Sequence, residues 1–273
     1  MFAKFKLEPL SIDGNRYYNI GKNLYEENLS AIRSELDDYV TEGNSLSAKK
    51  IEDDWFPKVT ADIFLSHSHA DERTVIQLAG WLKEYLNVRT FVDSCVWAYC
   101  DDLINAMERK YNSQNDPSIS RQICSHVYMI LNTALHKMID KTECLIFYHT
   151  PQSVAYKDYL GKTALYSPWI YSELLMGNLI QSKSLMEHRP NILKESTQHF
   201  SQLKVEYKIC LDGYESMDAD NLNEWEEAVS NRKKYISRTL SPYDSMDILY
   251  DLYSLKDKGY FKGKSAERDY YIG

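Results

Sequence analysis

Short apolar runs alternate with amphipathic segments through the middle of the chain. The apolar runs are bounded by polar turns and have the length of buried strands, and they lie at residues 62–66, 88–92, 143–148 and 205–211. Apolar residues spaced three and four apart predict helices at residues 74–86, 101–110, 123–139, 167–181 and 221–238. This alternation predicts an α/β fold, in which a parallel sheet carries helices on both faces.

The two flanks lack this alternation. Residues 25–40 predict an amphipathic helix, and the polar residues 42–45 separate it from the centre. The stretch beyond Pro242 is rich in tyrosine but has no clear periodicity. We therefore predict a helical N-terminal extension at 1–60, a central domain at 61–215, and a C-terminal helix with a Tyr-rich extension at 216–273.

Composition narrows the class of protein. The chain has 273 residues, of which 44% are hydrophobic and 13% aromatic, so it can bury a core. It contains no run of about 20 apolar residues, and its start lacks the apolar centre of a signal peptide, so we expect neither a membrane span nor secretion. The formal net charge of -8 disfavours nonspecific binding to nucleic acid. Five cysteines without a CxxC pair are typical of reduced thiols in a cytoplasmic protein.

Ligands of open parallel sheets bind at the carboxyl ends of the strands, which directs attention to three segments. After the first apolar run, Ser66, His67 and Ser68 lead into a polar turn with His69 and Asp71. Two histidines are too few for a metal site, which needs three or four ligands, so we predict none here. The hydroxyls, imidazoles and backbone N–H groups suit an anionic ligand at the start of the next helix, which Asp71 would cap.

The segment after the second apolar run is unusually apolar for a loop. Asp93 follows the run, and Trp97 and Tyr99 lie between Cys95 and Cys100. The two aromatic side chains either form a binding or assembly surface or fold back onto the core. The cysteines have no basic neighbour that would lower a thiol pKa, so packing is favoured over redox or nucleophilic chemistry.

The clearest local signal is the start of the helix at 167–181. Ser167 is a favoured N-cap, and Pro168 suits the first helical turn. Trp169 and Glu173 are four positions apart and share a helix face. An indole that stacks on a flat ring, beside a carboxylate that faces positive charge or holds sugar hydroxyls, suits a heteroaromatic substrate. The alternative is an ordinary amphipathic helix, with Trp169 in the core and Glu173 in water.

Several familiar motifs are missing, and the pieces that are present resemble one family. The chain has no GxGxxG, GxxxxGK[ST], GxSxG or HExxH, which disfavours a Rossmann oxidoreductase, a P-loop NTPase and a serine hydrolase. Residues 62–212 resemble a bacterial TIR (Toll/interleukin-1 receptor) domain of the NAD+-consuming type. DIFLSHSHAD is similar to the family's D-[VI]-F-[IL]-S opening, and TFVD to its V-F-x-D strand end. SPWIYSE places a glutamate four residues after a tryptophan, as enzymatic members do.

The resemblance implies a flavodoxin-like fold and cleavage of the nicotinamide–ribose bond of NAD+, which is a substrate and not a bound cofactor. It makes Glu173 the catalytic glutamate and places Trp169 beside the nicotinamide. Other site residues carried over from the family are Ser66, His67, Ser68, Asp93, Trp97 and Tyr99. The product would be ADP-ribose or a cyclic or modified ADP-ribose signal.

The resemblance also implies a biological setting. Bacterial proteins of this kind act in antiphage defence systems such as Thoeris, so we expect a homo-oligomer built through TIR–TIR contacts and a downstream effector that senses the product. The chain departs from the family in an insertion at 111–141 and in the sequence CVWAY, which stands where many members have a glycine-bearing acidic loop.

Two other function classes stay open. A TIR scaffold would act through assembly alone and would turn over no substrate. An enzyme similar to the nucleoside deoxyribosyltransferases would share the sheet and the carboxylate chemistry, but would use its glutamate as a nucleophile and would not turn over NAD+. Together, Trp169 and Glu173 favour the NAD+-consuming enzyme.

Overall fold

The computed structural model describes residues 1–12, 15–41, 60–153, 164–165, 167–180, 207–208, 211, 213–235 and 239–255. A five-stranded parallel sheet runs through these residues, in the order β3-β2-β4-β1-β7. Its strands are β1 (Ala3–Leu7), β2 (Ile63–Ser66), β3 (Thr90–Val92), β4 (Cys144–Tyr148) and β7 (Glu215–Met217). A separate antiparallel pair joins β5 (Ala164–Leu165) to β6 (Tyr207–Lys208).

Helices cover both faces of the sheet, which confirms the predicted flavodoxin-like α/β fold. They are α1 (Asn15–Thr41), α2 (Glu72–Leu86), α3 (Ser94–Tyr111), α4 (Pro117–Lys141), α5 (Pro168–Leu179), α6 (Ala219–Tyr235) and α7 (Pro242–Leu252). One face packs with α2, α6 and α7, and the other with α3, α4 and α5. Successive strand residues point to opposite faces, so Ile63 and Leu65 enter the first core and Phe64 enters the second. In the described ranges, no helix combines the length and the apolarity that a membrane span requires.

The strands nearest the candidate site are fully buried. Every residue of β2 and of β4 is buried, which explains why IFLS and CLIFY are continuous apolar or small-residue runs and not alternating ones. The predicted strands at 62–66, 88–92 and 143–148 are therefore confirmed, with slightly shorter bounds.

The N-terminal part is not the separate extension that the sequence predicted. Strand β1 lies inside the sheet between β4 and β7, and Phe5 pairs with both Ile146 and Glu215. Its sequence AKFKL alternates fully buried residues with half-buried lysines. Two lysines in five residues hide the strand from a search for apolar runs, although the alternation itself is a strand signal.

Helix α1 also packs on the central part of the chain. It lies against α2 and α3 and beside β3. At its crossing with α2, a Cβ on Gly21 would overlap the carbonyl group of Ile76, and a Cβ on Gly80 would overlap that of Tyr17. The two glycines therefore allow the helix backbones to touch, and the prediction of a helix outside the central unit is wrong.

The predicted boundary at 215–216 is wrong as well, because it cuts through β7. Trp225 of α6 and Tyr250 of α7 are completely buried in the same core as the sheet. The indole Nε1 of Trp225 donates to the carbonyl of Ser245 at 2.8 Å, which joins the two helices. A sheet face must be covered, and the C-terminal helices complete that cover beside α2. The tyrosines beyond residue 255 lie outside the described residues.

Two local predictions also need correction. The described part of residues 205–211 gives a strand only at β6, which pairs antiparallel with β5 and not with the parallel sheet. The parallel strand beside β4 is β1 instead. The apolar segment after Asp93 is not a loop, because α3 begins at Ser94.

Candidate functional site

Four of the predicted site residues meet at the carboxyl edge of the sheet. Ser66 ends β2, His67 follows it, Asp93 follows β3, and Glu173 lies on α5. Their exposed fractions are 0% for Ser66, 4% for His67, 2% for Asp93 and 1% for Glu173. Polar residues of this kind are rarely so buried unless they are paired or have a function. We refer to these four residues as the buried polar cluster.

Glu173 is held at one of its two carboxyl oxygens. Ser66 Oγ donates to Glu173 Oε2 at 2.6 Å, whereas Oε1 has no hydrogen-bond partner within the described part of the chain. The carboxyl group also lies against that of Asp93. Burial and then the charge of Asp93 raise the pKa of Glu173 well above its usual range, and the bond from Ser66 offsets only part of this.

His67 and Asp93 form the second half of the cluster. Nδ1 of His67 lies 2.5 Å from Oδ1 of Asp93, close enough for an ion pair, although the direction is not that of a well-aligned hydrogen bond. The backbone N–H of His67 also donates to Oδ2 of Asp93, at 3.4 Å. Burial alone would lower the pKa of His67, but the charge and hydrogen bonding of Asp93, together with more distant Glu72 and Asp71, raise it. The imidazole therefore holds its proton to higher pH than a free histidine does.

Helix α5 starts as its sequence predicts. The Ser167 side chain accepts a hydrogen bond from the backbone N–H of Ile170 at 3.3 Å, and Pro168 occupies the first turn. This cap fixes the helix register, which turns Glu173 inward. The indole of Trp169 is half-buried and contacts the ring of Tyr128 from α4, with centroids 5.5 Å apart and an interplanar angle of 59°.

A pocket of about 350 Å³ opens beside the buried polar cluster. This volume is near the lower end of the range for small-molecule sites, which starts at about 300 Å³. Its lining residues are His67, Ser68, His69, Asp93, Ser94, Cys100, Asp101, Tyr128, Ser167, Trp169 and Ile170. Two carboxylates and two aromatic rings thus face the space, and no lysine or arginine from the described residues lines it. Glu173 touches Asp93 of this wall but is not itself part of the lining.

The remaining predicted residues lie in different surroundings. Ser68 lines the pocket, as expected from the turn after β2. Trp97 and Tyr99 lie on the second turn of α3, and their side chains are outside the description. Cys95 is buried, and burial and then Asp93 raise its pKa well above the usual value, which supports the packing role. Within the described ranges, no three His, Cys, Asp or Glu residues are arranged to hold a metal ion.

Sequence reasoning missed the residues that α4 contributes. Tyr128 faces the pocket, and His136 Nε2 lies 2.7 Å from the hydroxyl of Ser172, which in turn donates to Asn132 Oδ1 at 2.8 Å. Burial lowers the pKa of His136 to about 4, so the imidazole is neutral at physiological pH. These bonds tie α4 to α5 one residue before Glu173. Because α4 lies outside the quoted motifs, no motif pointed to it.

Asp71 has a different role from the predicted cap. It stands at the N-cap position of α2, but its side chain makes no capping bond. Instead, the hydroxyl of Thr150, which follows β4, donates to Asp71 Oδ2 at 2.5 Å. This bond links the turn after β2 to the segment after β4.

Comparisons with known proteins add no relative to this description. No protein-family model matches the chain. No curated protein and no solved structure matches it either. The resemblance to TIR domains therefore rests on the quoted motifs and stays a prediction.

Proposed function

We propose that the protein cleaves the nicotinamide–ribose bond of NAD+, with Glu173 as its catalytic glutamate. The observation that carries this proposal is the buried carboxyl group of Glu173, bonded to Ser66 at the carboxyl edge of the parallel sheet and adjacent to a pocket. Open parallel sheets bind their ligands at this edge. A buried carboxyl with a strongly perturbed pKa in such a place is typical of a functional group.

The chemistry of this bond needs little from the protein. Nicotinamide leaves as a neutral molecule from a cationic substrate, so its departure requires no general acid. The ribose carbon becomes oxocarbenium-like, as in glycoside cleavage, and a nearby carboxylate stabilises this charge. Glu173 would supply the carboxylate, and Ser66 would fix its orientation. Water would then give ADP-ribose, whereas attack by another group of the substrate or by a second acceptor would give a cyclic or modified product.

The pocket walls suit the nicotinamide half of the substrate better than the diphosphate. Trp169 and Tyr128 offer aromatic faces to the pyridinium ring, and Asp93 and Asp101 offer negative charge. The diphosphate would have to bind through local donors, because the chain is acidic as a whole. The imidazoles of His67, whose pKa is raised, and of His69 line the pocket and would supply such donors.

The scaffold alternative has one specific observation in its favour. Glu173 is only 1% exposed and does not line the pocket, so substrate cannot touch it without a rearrangement of the pocket wall. A protein that acts through assembly alone needs no access to this carboxyl. We propose the enzyme first, because a scaffold gives no reason to retain an unpartnered carboxyl oxygen in the interior.

The setting follows from the same resemblance. We place the protein in the cytoplasm, a proposal that the free thiols of Cys95, Cys100, Cys124 and Cys144 support. We propose that it assembles with copies of itself through TIR–TIR contacts and that an effector responds to its product in antiphage defence.

The decisive experiment is incubation of the purified full chain with NAD+ at low and high protein concentration, with products identified by mass spectrometry. Glu173→Ala is expected to lower turnover by about 10²-fold or more, because the charge that develops on ribose loses its carboxylate. Glu227→Ala changes an exposed glutamate on α6 and serves as the matched control, with turnover unchanged. Equal turnover by wild type and Glu173→Ala removes Glu173 from the mechanism, and no turnover under any condition favours the scaffold.

A further inference from the structure

The buried polar cluster has one acidic group more than its cationic partner balances. His67, whose pKa is raised, pairs in its protonated form with the Asp93 carboxylate at 2.5 Å. These two groups then carry no net charge. An ionised Glu173 would add one negative charge to a site from which water is excluded, and an unbalanced buried charge is costly. Neutrality of the cluster therefore requires a proton on the carboxyl pair.

Hydrogen-bond geometry leads to the same requirement. The two carboxyl groups lie against each other, and Ser66 is the donor that bonds Glu173. Oε1 of Glu173 has no donor among the described residues. Two ionised carboxylates in contact repel each other, whereas one proton between them turns the contact into a hydrogen bond.

Among the described residues, the groups around the cluster do not supply the missing positive charge. Four other titratable groups lie around it: Tyr25 on α1, Asp71 in the turn before α2, Glu72 at the start of α2 and Cys95 on α3. All of these are acidic or neutral. Around the pocket opening, Asp101 adds a further carboxylate and His69 an imidazole. Within the described part of the chain, the counter-charge of the pair is therefore left to a proton or a ligand from solution.

The pocket beside the pair is shaped and lined for one kind of cation. Trp169 and Tyr128 line it with ring centroids 5.5 Å apart, and the buried Asp93 of the pair lines the same space. Aromatic faces attract organic cations and stack on flat rings. A flat organic cation can thus interact with both the aromatic rings and the carboxylate, whereas a small hydrated metal ion interacts only with the carboxylate.

We propose that Asp93 and Glu173 share one proton in the free protein and exchange it for a flat organic cation of the pyridinium class, which binds in the pocket against Trp169 and Tyr128. The exchanged proton passes to water through the pocket, so the total charge of the site is conserved. The inference rests on the proposed function, because pyridinium is the group that NAD+ would present here. It also explains how a carboxyl that is neutral in the free protein becomes the carboxylate that the reaction needs.

The test uses the N-methylated nicotinamide cation, which has no ribose bond to cleave, and isothermal titration calorimetry of the full chain. Titrations in two buffers of different ionisation enthalpy count the protons released per cation bound, and the expected number approaches one at acidic pH. The binding constant should rise by up to about tenfold for each pH unit while the pair holds its proton. Neutral nicotinamide should release no proton.

Two variants and one spectroscopic signal give further tests. Glu173→Gln removes the exchangeable proton, so the cation should bind without proton release. Asp62→Asn, a buried aspartate at the opposite edge of the sheet, should leave proton release unchanged. Infrared difference spectra should show a protonated carboxyl band that disappears when the cation binds, and that is missing in Glu173→Gln.

The outcomes separate this inference from the proposed function. Cation binding with proton release but no NAD+ turnover keeps the exchange site and rejects the enzyme. NAD+ turnover that depends on Glu173, together with cation binding that releases no proton, rejects the exchange and keeps the enzyme. Failure of the cation to bind at millimolar concentration, where neutral nicotinamide binds, also overturns the inference.

Discussion

Two buried aspartates lie at opposite edges of the same sheet, and they have very different surroundings. Asp62 precedes β2 at the amino edge and accepts three bonds from Arg89: from the backbone N–H at 2.9 Å, from Nε at 3.1 Å and from Nη2 at 2.9 Å. Asp93 follows β3 at the carboxyl edge, where it meets a histidine and a second carboxyl group. At the amino edge the buried carboxylate thus has a cationic partner, whereas at the carboxyl edge two carboxyl groups share a single cationic partner.

This contrast separates an acid whose role is structural from the acids that we propose to be functional. Asp62 belongs to the DIFLS motif, and its hydrogen bonds to Arg89 raise the pKa of that guanidinium. Its burial is therefore compensated by partners within the chain. The carboxyl pair is compensated only in part, which lowers stability unless a proton or a ligand completes it. Proteins retain destabilising groups of this kind mainly at functional sites.

The largest stability effect should come from the amino edge. Asp62→Asn loses the charge that Arg89 binds and should lower the free energy of unfolding by about 1–3 kcal/mol, toward the low end because the Arg89 side chain is 36% exposed. Urea unfolding followed by circular dichroism measures this change. Asp220→Asn, at an exposed position of α6, is the matched control and should change stability by less than about 0.5 kcal/mol. Equal effects of the two substitutions would remove the structural role of Asp62.

A smaller effect of opposite sign should come from the carboxyl edge. Because the folded protein raises the pKa of Glu173, it binds that proton more tightly than the unfolded chain does. The resulting stability is fully present below the unfolded pKa of about 4.3 and is lost as pH rises toward the folded pKa. Glu173→Gln does not titrate, so at pH 7–8 it should be more stable than wild type by about 1 kcal/mol or more.

Thermal unfolding at several pH values measures this second effect. The advantage of Glu173→Gln over wild type should shrink as pH falls toward 4, because both side chains are then neutral. A variant less stable than wild type at pH 8 would place Glu173 in the same class as Asp62, and the contrast between the two edges would fail.

The smallest effects should appear in the titration of two histidines, the buried His67 and the half-buried His136. Asp93 raises the pKa of His67, whereas burial without a counter-charge lowers that of His136 to about 4. NMR titration of the ring protons should show His136 neutral throughout the physiological range and His67 protonated to higher pH than a free histidine. Asp93→Asn should lower the pKa of His67 and leave that of His136 in place; an unmoved His67 would mean that the ion pair does not form in solution.

The sequence predicted the parts of the fold whose signals are local. Ser167-Pro168 identified the start of α5, and the buried runs around Phe64 and Ile146 identified β2 and β4. It also selected Ser66, His67 and Asp93, because residues that follow parallel strands gather at one edge. Glu173 was selected from its spacing to Trp169 and from the resemblance. In the structure these four residues contact one another, and their role as a site stays a proposal.

What could not be predicted depends on partners that are distant in the chain. β1 is a five-residue strand with two lysines, and its identity comes from β4 and β7 on either side. Tyr128 reaches the pocket only because α4 packs against α5, and nothing in its local sequence says so. The burial of Glu173 beside the pocket wall likewise follows from packing and not from the spacing of Trp169 and Glu173.

The position of β1 has a consequence for how the protein is made. The first residue of the chain donates a hydrogen bond to the carbonyl of Asp140, 139 positions later. During synthesis this strand emerges well before β4 and β7, with which it pairs in the sheet. The nascent β1 segment must therefore wait unpaired, and the sheet can close only after β4 and β7 have been made. We expect chaperones to be needed for this waiting strand during translation.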